Sequence, residues 1–145
     1  MAIVPSNQDS DLAWLLSNLA RRVPGTRSIV LLSADGLPKA FHGLAADGAD
    51  QLSAMAAPIW SLARTAGERF DGSDVVRQVV AELNDSTLFV SSAGLGSILA
   101  VVVDRSADPS VIGYEMAQLI KSVRPFLATP ARAAAPARRD PTSAA

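Results

Sequence analysis

The side chains able to do covalent or acid-base chemistry are few. His42 is the only histidine and there is no cysteine among the 145 residues. A catalytic triad needs a nucleophile, a base and an orienting carboxylate, and His42 beside Gly43 has no evident partners for that arrangement. One histidine without thiolates also cannot assemble the usual three-ligand catalytic zinc site. The carboxylates Asp9, Asp11, Asp47, Asp50, Asp71, Asp74, Asp85 and Asp108 fall at expected helix ends and turns, where backbone hydrogen bonding accounts for them. Ser92-Ala93-Gly94-Leu95-Gly96-Ser97 has two glycines of a dinucleotide loop, but it lacks the third and leads into an apolar strand. Phosphate binding needs a helix N-terminus there, so the segment reads as a hairpin turn. No G-x-x-x-x-G-K-[ST] run is present. The expectation is a protein without catalytic residues, cofactor or metal, acting through its surfaces.

Composition narrows the surfaces. Thirteen Lys and Arg against fourteen Asp and Glu give a formal charge of -1, which provides no broad field for nucleic acid. The first residues carry neither a basic nor an apolar leader region, and runs such as Ile98 to Val103 are far shorter than the roughly 20 residues a bilayer requires. A cytoplasmic protein is expected, with any recruitment to a membrane left to a partner and no direct insertion. Absence of cysteine agrees with a reducing compartment.

The elements that must position any surface follow from periodicity. Leu12, Leu15, Leu16, Leu19 and Val23 recur at helical spacing after Asp9, and Pro24-Gly25 stops them. Ile29 to Leu32 is apolar without alternation, which predicts a strand covered on both faces. Asp35-Gly36 predicts a hairpin into Leu37 to Phe41, where Pro38 favours a sheet border. Asp47 and Asp50 have the spacing of a capping pair before a helix to about Arg69, roughly 33 Å long, with Gly72 past its end. Strands over Asp74 to Leu83, Thr87 to Ser92 and Ser97 to Val103 form a meander, and Asp108 with Pro109 opens a last helix carrying Ile112, Met116, Leu119, Ile120, Val123 and Leu127. The reading is a flexible start over 1–8, one α+β domain over 9–127 and a disordered Ala/Pro/Arg tail over 128–145 with Arg132, Arg138 and Arg139 solvated.

The long second helix shows two stripes. Leu52, Met55, Ile59, Leu62, Ala66 and Phe70 gather on one side and are expected to face the sheet. Ala49, Ser53, Ala56, Trp60, Ala63 and Gly67 form a second stripe of small residues around one indole, suited to close approach of a second copy or, alternatively, of the chain's own first helix. Pro58 predicts a kink. The third strand, with Val76, Gln78 and Val80 among its residues, reads as a border able to pair with another sheet.

In this order α-β-β-α-β-β-β-α, the chain resembles the Roadblock/dynein light chain family, near its actinobacterial branch. The carrying segments are Val30-Leu31-Leu32-Ser33-Ala34-Asp35-Gly36-Leu37-Pro38, the Ala-rich helix through Trp60, Ser86-Thr87-Leu88-Phe89-Val90, the Gly94 turn and Ile98 to Val103. The resemblance implies a profilin-like five-stranded antiparallel sheet in the order 2-1-5-4-3, covered by helices, with second helices and third strands meeting in a homodimer. It also implies an adaptor or regulator of a small Ras-like GTPase in a bacterial signalling complex, with a histidine-kinase-like protein as a further partner. Ala57, Arg64 and Arg69 are the residues expected to touch that partner. A profilin-like small-molecule sensor and a purely structural scaffold are the alternatives.

Overall fold

The computed structural model describes residues 7–128; the expected tail after Ala128, which instead ends the last helix, and most of the expected flexible start lie outside them. Helix α1 (Asn7–Arg22) begins two residues before the expected Asp9 and ends where the Val23 amide donates to the Leu19 carbonyl and Gly25 takes φ 92°. Strand β1 (Thr26–Ser33) turns at Gly36, also at positive φ, into β2 (Pro38–His42). Helix α2 (Ala46–Asp71) crosses back, followed by β3 (Val79–Glu82), β4 (Ser86–Gly94), β5 (Ser97–Asp104) and α3 (Pro109–Ala128). All ladders are antiparallel and the sheet order is β2-β1-β5-β4-β3. The architecture and strand order are those expected.

The central strands are buried on both faces, as their unbroken apolar runs require. On one face Ile29, Leu31, Phe89 and Leu99 meet Leu12, Leu16 and Leu19 of α1 and Ile112, Met116 and Val123 of α3. On the other, Val30, Leu32, Val90, Ile98 and Ala100 meet α2 alone. Two helices therefore cover one face and one helix the other, and α2 lies mainly over β1 and β5. The far side of this face, toward β3, has no helix of its own.

Local signals decide the ends of α2 and α3. Asp108 accepts from the Ser110 amide at 2.9 Å, the expected cap of α3. The expected Asp47–Asp50 capping pair of α2 does not form. The N-cap is Ala45, with extended backbone and no side-chain bond, so Asp47 lies inside the first turn, where it favours the helix dipole instead. Gly72 closes α2 in the left-handed region at φ 72°, its amide donating to the Gly67 carbonyl. Pro58 lies within an unbroken helix on its exposed side, and Ala54, whose carbonyl a proline four residues on cannot serve, is likewise an exposed residue. Strand β3 is shorter than the expected Asp74 to Leu83: residues 74–78 make no ladder with β4.

Candidate interaction surface

Leu52 faces the sheet as expected, but most of the two stripes of α2 are placed opposite to expectation. Ala49, Ser53, Ala56 and Trp60 are buried on the chain's own sheet, together with Leu52 and Ala57. They touch Val30, Leu32, Val90 and Ile98, the second core, and not α1, which lies on the other face. Met55, Leu62 and Phe70 point outward, 56%, 70% and 82% exposed, and Ile59 is half-buried between them. The physical reason is volume. Strands that already present Val, Leu and Ile toward α2 leave little depth, so the helix approaches with its small side chains and the large ones take the flank. The four residues Ala49, Ser53, Ala56 and Trp60 consequently lie inside the fold and cannot form a surface, and Ala57, 8% exposed, offers a partner almost nothing.

Ala63 and Gly67 are partly buried, and Gly67 has an intramolecular reason to be glycine. A Cβ there would lie 2.6 Å from the Ser73 carbonyl oxygen, the residue whose amide donates back to Gly67 at 3.3 Å. Of the other expected contact residues, Val76 is half-buried against the second core, whereas Gln78, Val80 and Arg69 are exposed. Arg64 is held by Asp74, Nη2 to Oδ2 at 2.6 Å, which pins the chain after α2 to the helix. Hydrogen bonding to that guanidinium, and then its charge, holds the Asp74 carboxyl below its ordinary range. A groove of about 350 Å³ lies beneath the pair, edged by Trp60, Val75, Val76 and Ser97.

The large-residue flank of α2 runs beside the part of the sheet with no helix over it, where Val79, Ala81 and Val102 remain only half-buried. Beyond them β3 ends the sheet, bonded to β4 on one edge only. Val75 and Leu83 add exposed apolar area before and after β3. Sequence reading missed Met55 and Leu62 as surface residues because hydrophobicity alone assigns the larger residues to the core. His42 ends β2 opposite Ile29, half-buried, and among the described residues no group of three or more metal-binding side chains exists. No described helix is long and apolar enough to cross a membrane.

The family model for the Roadblock/LC7 domain matches residues 12–103, from α1 through the end of β5. The chain belongs to the Roadblock/LC7 family. A solved Roadblock/LC7 domain from Streptomyces avermitilis is 58% identical over 81% of this chain and 98% of that one, with a TM-score of 0.78. A second from that organism is 31% identical, covering 77% and 96%, with a TM-score of 0.63. The gliding protein MglB of Thermus thermophilus shares the fold at 16% identity, covering 86% and 94%, with a TM-score of 0.75. No curated protein matches the chain.

Proposed function

We propose that this chain is a non-catalytic homodimeric adaptor that regulates a small Ras-like GTPase within a bacterial signalling complex in the cytoplasm. The observation that carries the pairing is the outward apolar flank of α2 beside an uncovered sheet border. A lone helix on a wide sheet leaves room for a second helix, and a second copy supplies one by twofold symmetry. The paired β3 edges would at the same time satisfy each other's free backbone groups.

Helical geometry gives this pairing a register. Antiparallel α2 helices centred near Pro58 and Ile59 set Met55 against Leu62 of the second copy and Asp47 against its Arg69, residues that share the exposed flank. Of the dimer residues expected from sequence, Gln78 and Val80 remain in this interface, with Met55, Ile59 and Leu62 replacing the buried small stripe, and Arg69, expected to touch the GTPase, joins it. The outer surface of the paired helices, with Arg64 at its margin, is the side offered to the GTPase and to a histidine-kinase-like partner. The GTPase reading comes from the family, and its mechanism is preference for one nucleotide state of the partner.

Charge reversal tests the register. Asp47→Arg and Arg69→Asp should each weaken self-association by roughly tenfold through like-charge contact, and the double variant should recover it. Sedimentation over a micromolar range reads both. A double variant as weak as the sum of the singles would refute the antiparallel register, and a wild-type monomer would refute the dimer. Nucleotide-dependent binding of a small Ras-like GTPase tests the regulatory half, since equal affinity for its GDP and GTP forms leaves nothing to regulate.

A further inference from the structure

The stretch between α2 and β3 has the composition of a strand but does not form one. Val75, Val76, Arg77 and Gln78 precede β3 without interruption, yet the ladder with β4 begins at Val79, opposite Val90. Strand β4 continues to Gly94, so its outer edge from Ser91 onward has no ladder partner among the described residues. The Gly94 amide is instead taken by the Ser92 hydroxyl at 3.1 Å. One thread joins the two segments at the fork, the Ser91 hydroxyl donating to the Arg77 carbonyl at 3.5 Å.

The side-chain phase is also out of step. Along β3, Val79 and Ala81 face α2, and strict alternation would bring Val75 and Arg77 to the same face. Val76 is the one packed there, and Val75 is 77% exposed. Joining the sheet would therefore exchange one half-buried valine for the other, a nearly balanced trade in apolar area. What holds the present state is the attachment to α2: the ion pair of Arg64 with Asp74 and the Ser73 amide on the Gly67 carbonyl.

We propose that the Arg64–Asp74 pair is a latch. Closed, it keeps residues 74–78 off the sheet; open, it lets them zip onto the free edge of β4, with Gln78 opposite Ser91 and Arg77 opposite Ser92 in continuation of the existing register. The border strand then lengthens from four residues to about nine, since strand pairing propagates by the residue once registered. Zipping requires no second copy. Its consequence, a longer edge for pairing with a twin, rests on the dimer reading above. A partner anion competing for Arg64 would open the latch and thereby couple partner binding to self-association.

Amide hydrogen exchange on the full chain tests this, with Asp74→Ala and Arg64→Ala as the opening variants. Exchange should slow together at the amides that face the new ladder, Val75 and Arg77 on one side and Ser92 and Gly94 on the other, by up to about fivefold for loss of an exposed ion pair. Adding Arg77→Pro, which cannot donate into a ladder, should abolish that protection. Faster exchange at 75–78 with 91–94 unchanged would overturn the latch, because it describes a frayed connector. Sedimentation of the same variants should show tighter self-association. If wild type and variants are all monomeric while the exchange pattern holds, the latch stands and the dimer reading fails.

Discussion

Trp60→Ala separates a residue of the fold from a residue of an interface. The indole is 9% exposed and packs into the core between α2 and the sheet. Truncating a buried Trp costs roughly 3–5 kcal/mol, transfer and cavity contributions together. The lower end applies here, because the adjoining groove of about 350 Å³ opens to solvent and water can occupy part of the space. With an m-value of about 2 kcal/mol per molar urea, the midpoint should fall by about 1.5 M. The assay is urea unfolding followed by far-UV circular dichroism, because Trp60→Ala leaves the exposed Trp14 as the only indole and removes the buried fluorescence reporter. Met55→Lys and Leu62→Lys should be added to hold the chain monomeric. An interface residue would lose its effect in that monomeric background, whereas a core residue keeps it at every protein concentration. A midpoint unchanged by Trp60→Ala there would refute the placement of the indole and restore the small-residue stripe as the pairing surface.

Gly67→Ala should destabilise by about 1–3 kcal/mol through overpacking, because its Cβ would stand 2.6 Å from the Ser73 carbonyl oxygen; an unchanged urea midpoint would refute that contact. Ser53→Ala should be neutral or stabilise by about 1 kcal/mol, since the buried Ser53 hydroxyl has no hydrogen-bond partner among the described residues; a loss above that size in thermal unfolding would show a bond the geometry does not contain. Acid should weaken the fold through Asp104 and Asp74. The Asp104 carboxyl is held low by the Ser106 hydroxyl first and by Arg27 next, and Asp74 by Arg64. Both folded values lie below the ordinary 3.8, so their contribution is complete above that pH and lost as pH falls through the folded values. Asp104→Asn and Asp74→Asn should therefore flatten the acid limb of a stability-against-pH curve without steepening its neutral part.

The order of elements was legible because local chemistry and global fold agree at most positions. Asp35-Gly36 makes its hairpin, Pro38 sits at a border, and Asp108 caps α3 as its spacing demands. Three features were not legible. The Asp47–Asp50 spacing fits a capping pair equally well two residues out of place, and only the backbone at Ala45 decides between the two. The composition of residues 74–78 is that of a strand, but the Arg64–Asp74 pair joins residues ten apart and outweighs local preference there. The faces of α2 could not be assigned from hydrophobicity because both stripes are apolar. Choosing between them required the depth available above β1 and β5, a property of other elements.

That last ambiguity carries the functional argument. Had the large residues of α2 faced the sheet, the exposed side would be Ala, Ser and Gly around an indole, and a monomer could bear it without penalty apart from one aromatic. With the small residues inward, Met55, Leu62 and Phe70 lie in water beside a half-covered strand pair and an unbonded border. Isolated exposed apolar residues need no explanation, but a contiguous row of them along one helix next to an open sheet edge marks an interaction site. The side of the molecule that volume forces outward is thus the side with both free apolar area and free backbone donors, and in the proposed dimer those two deficits are met together by the same twofold partner. An interface built this way should be lost by charging either component: Leu62→Lys on the helix and Val80→Lys on β3 should each give monomers in sedimentation. Loss by only one of them would divide the helix contact from the strand contact and leave the other as a surface for a different protein.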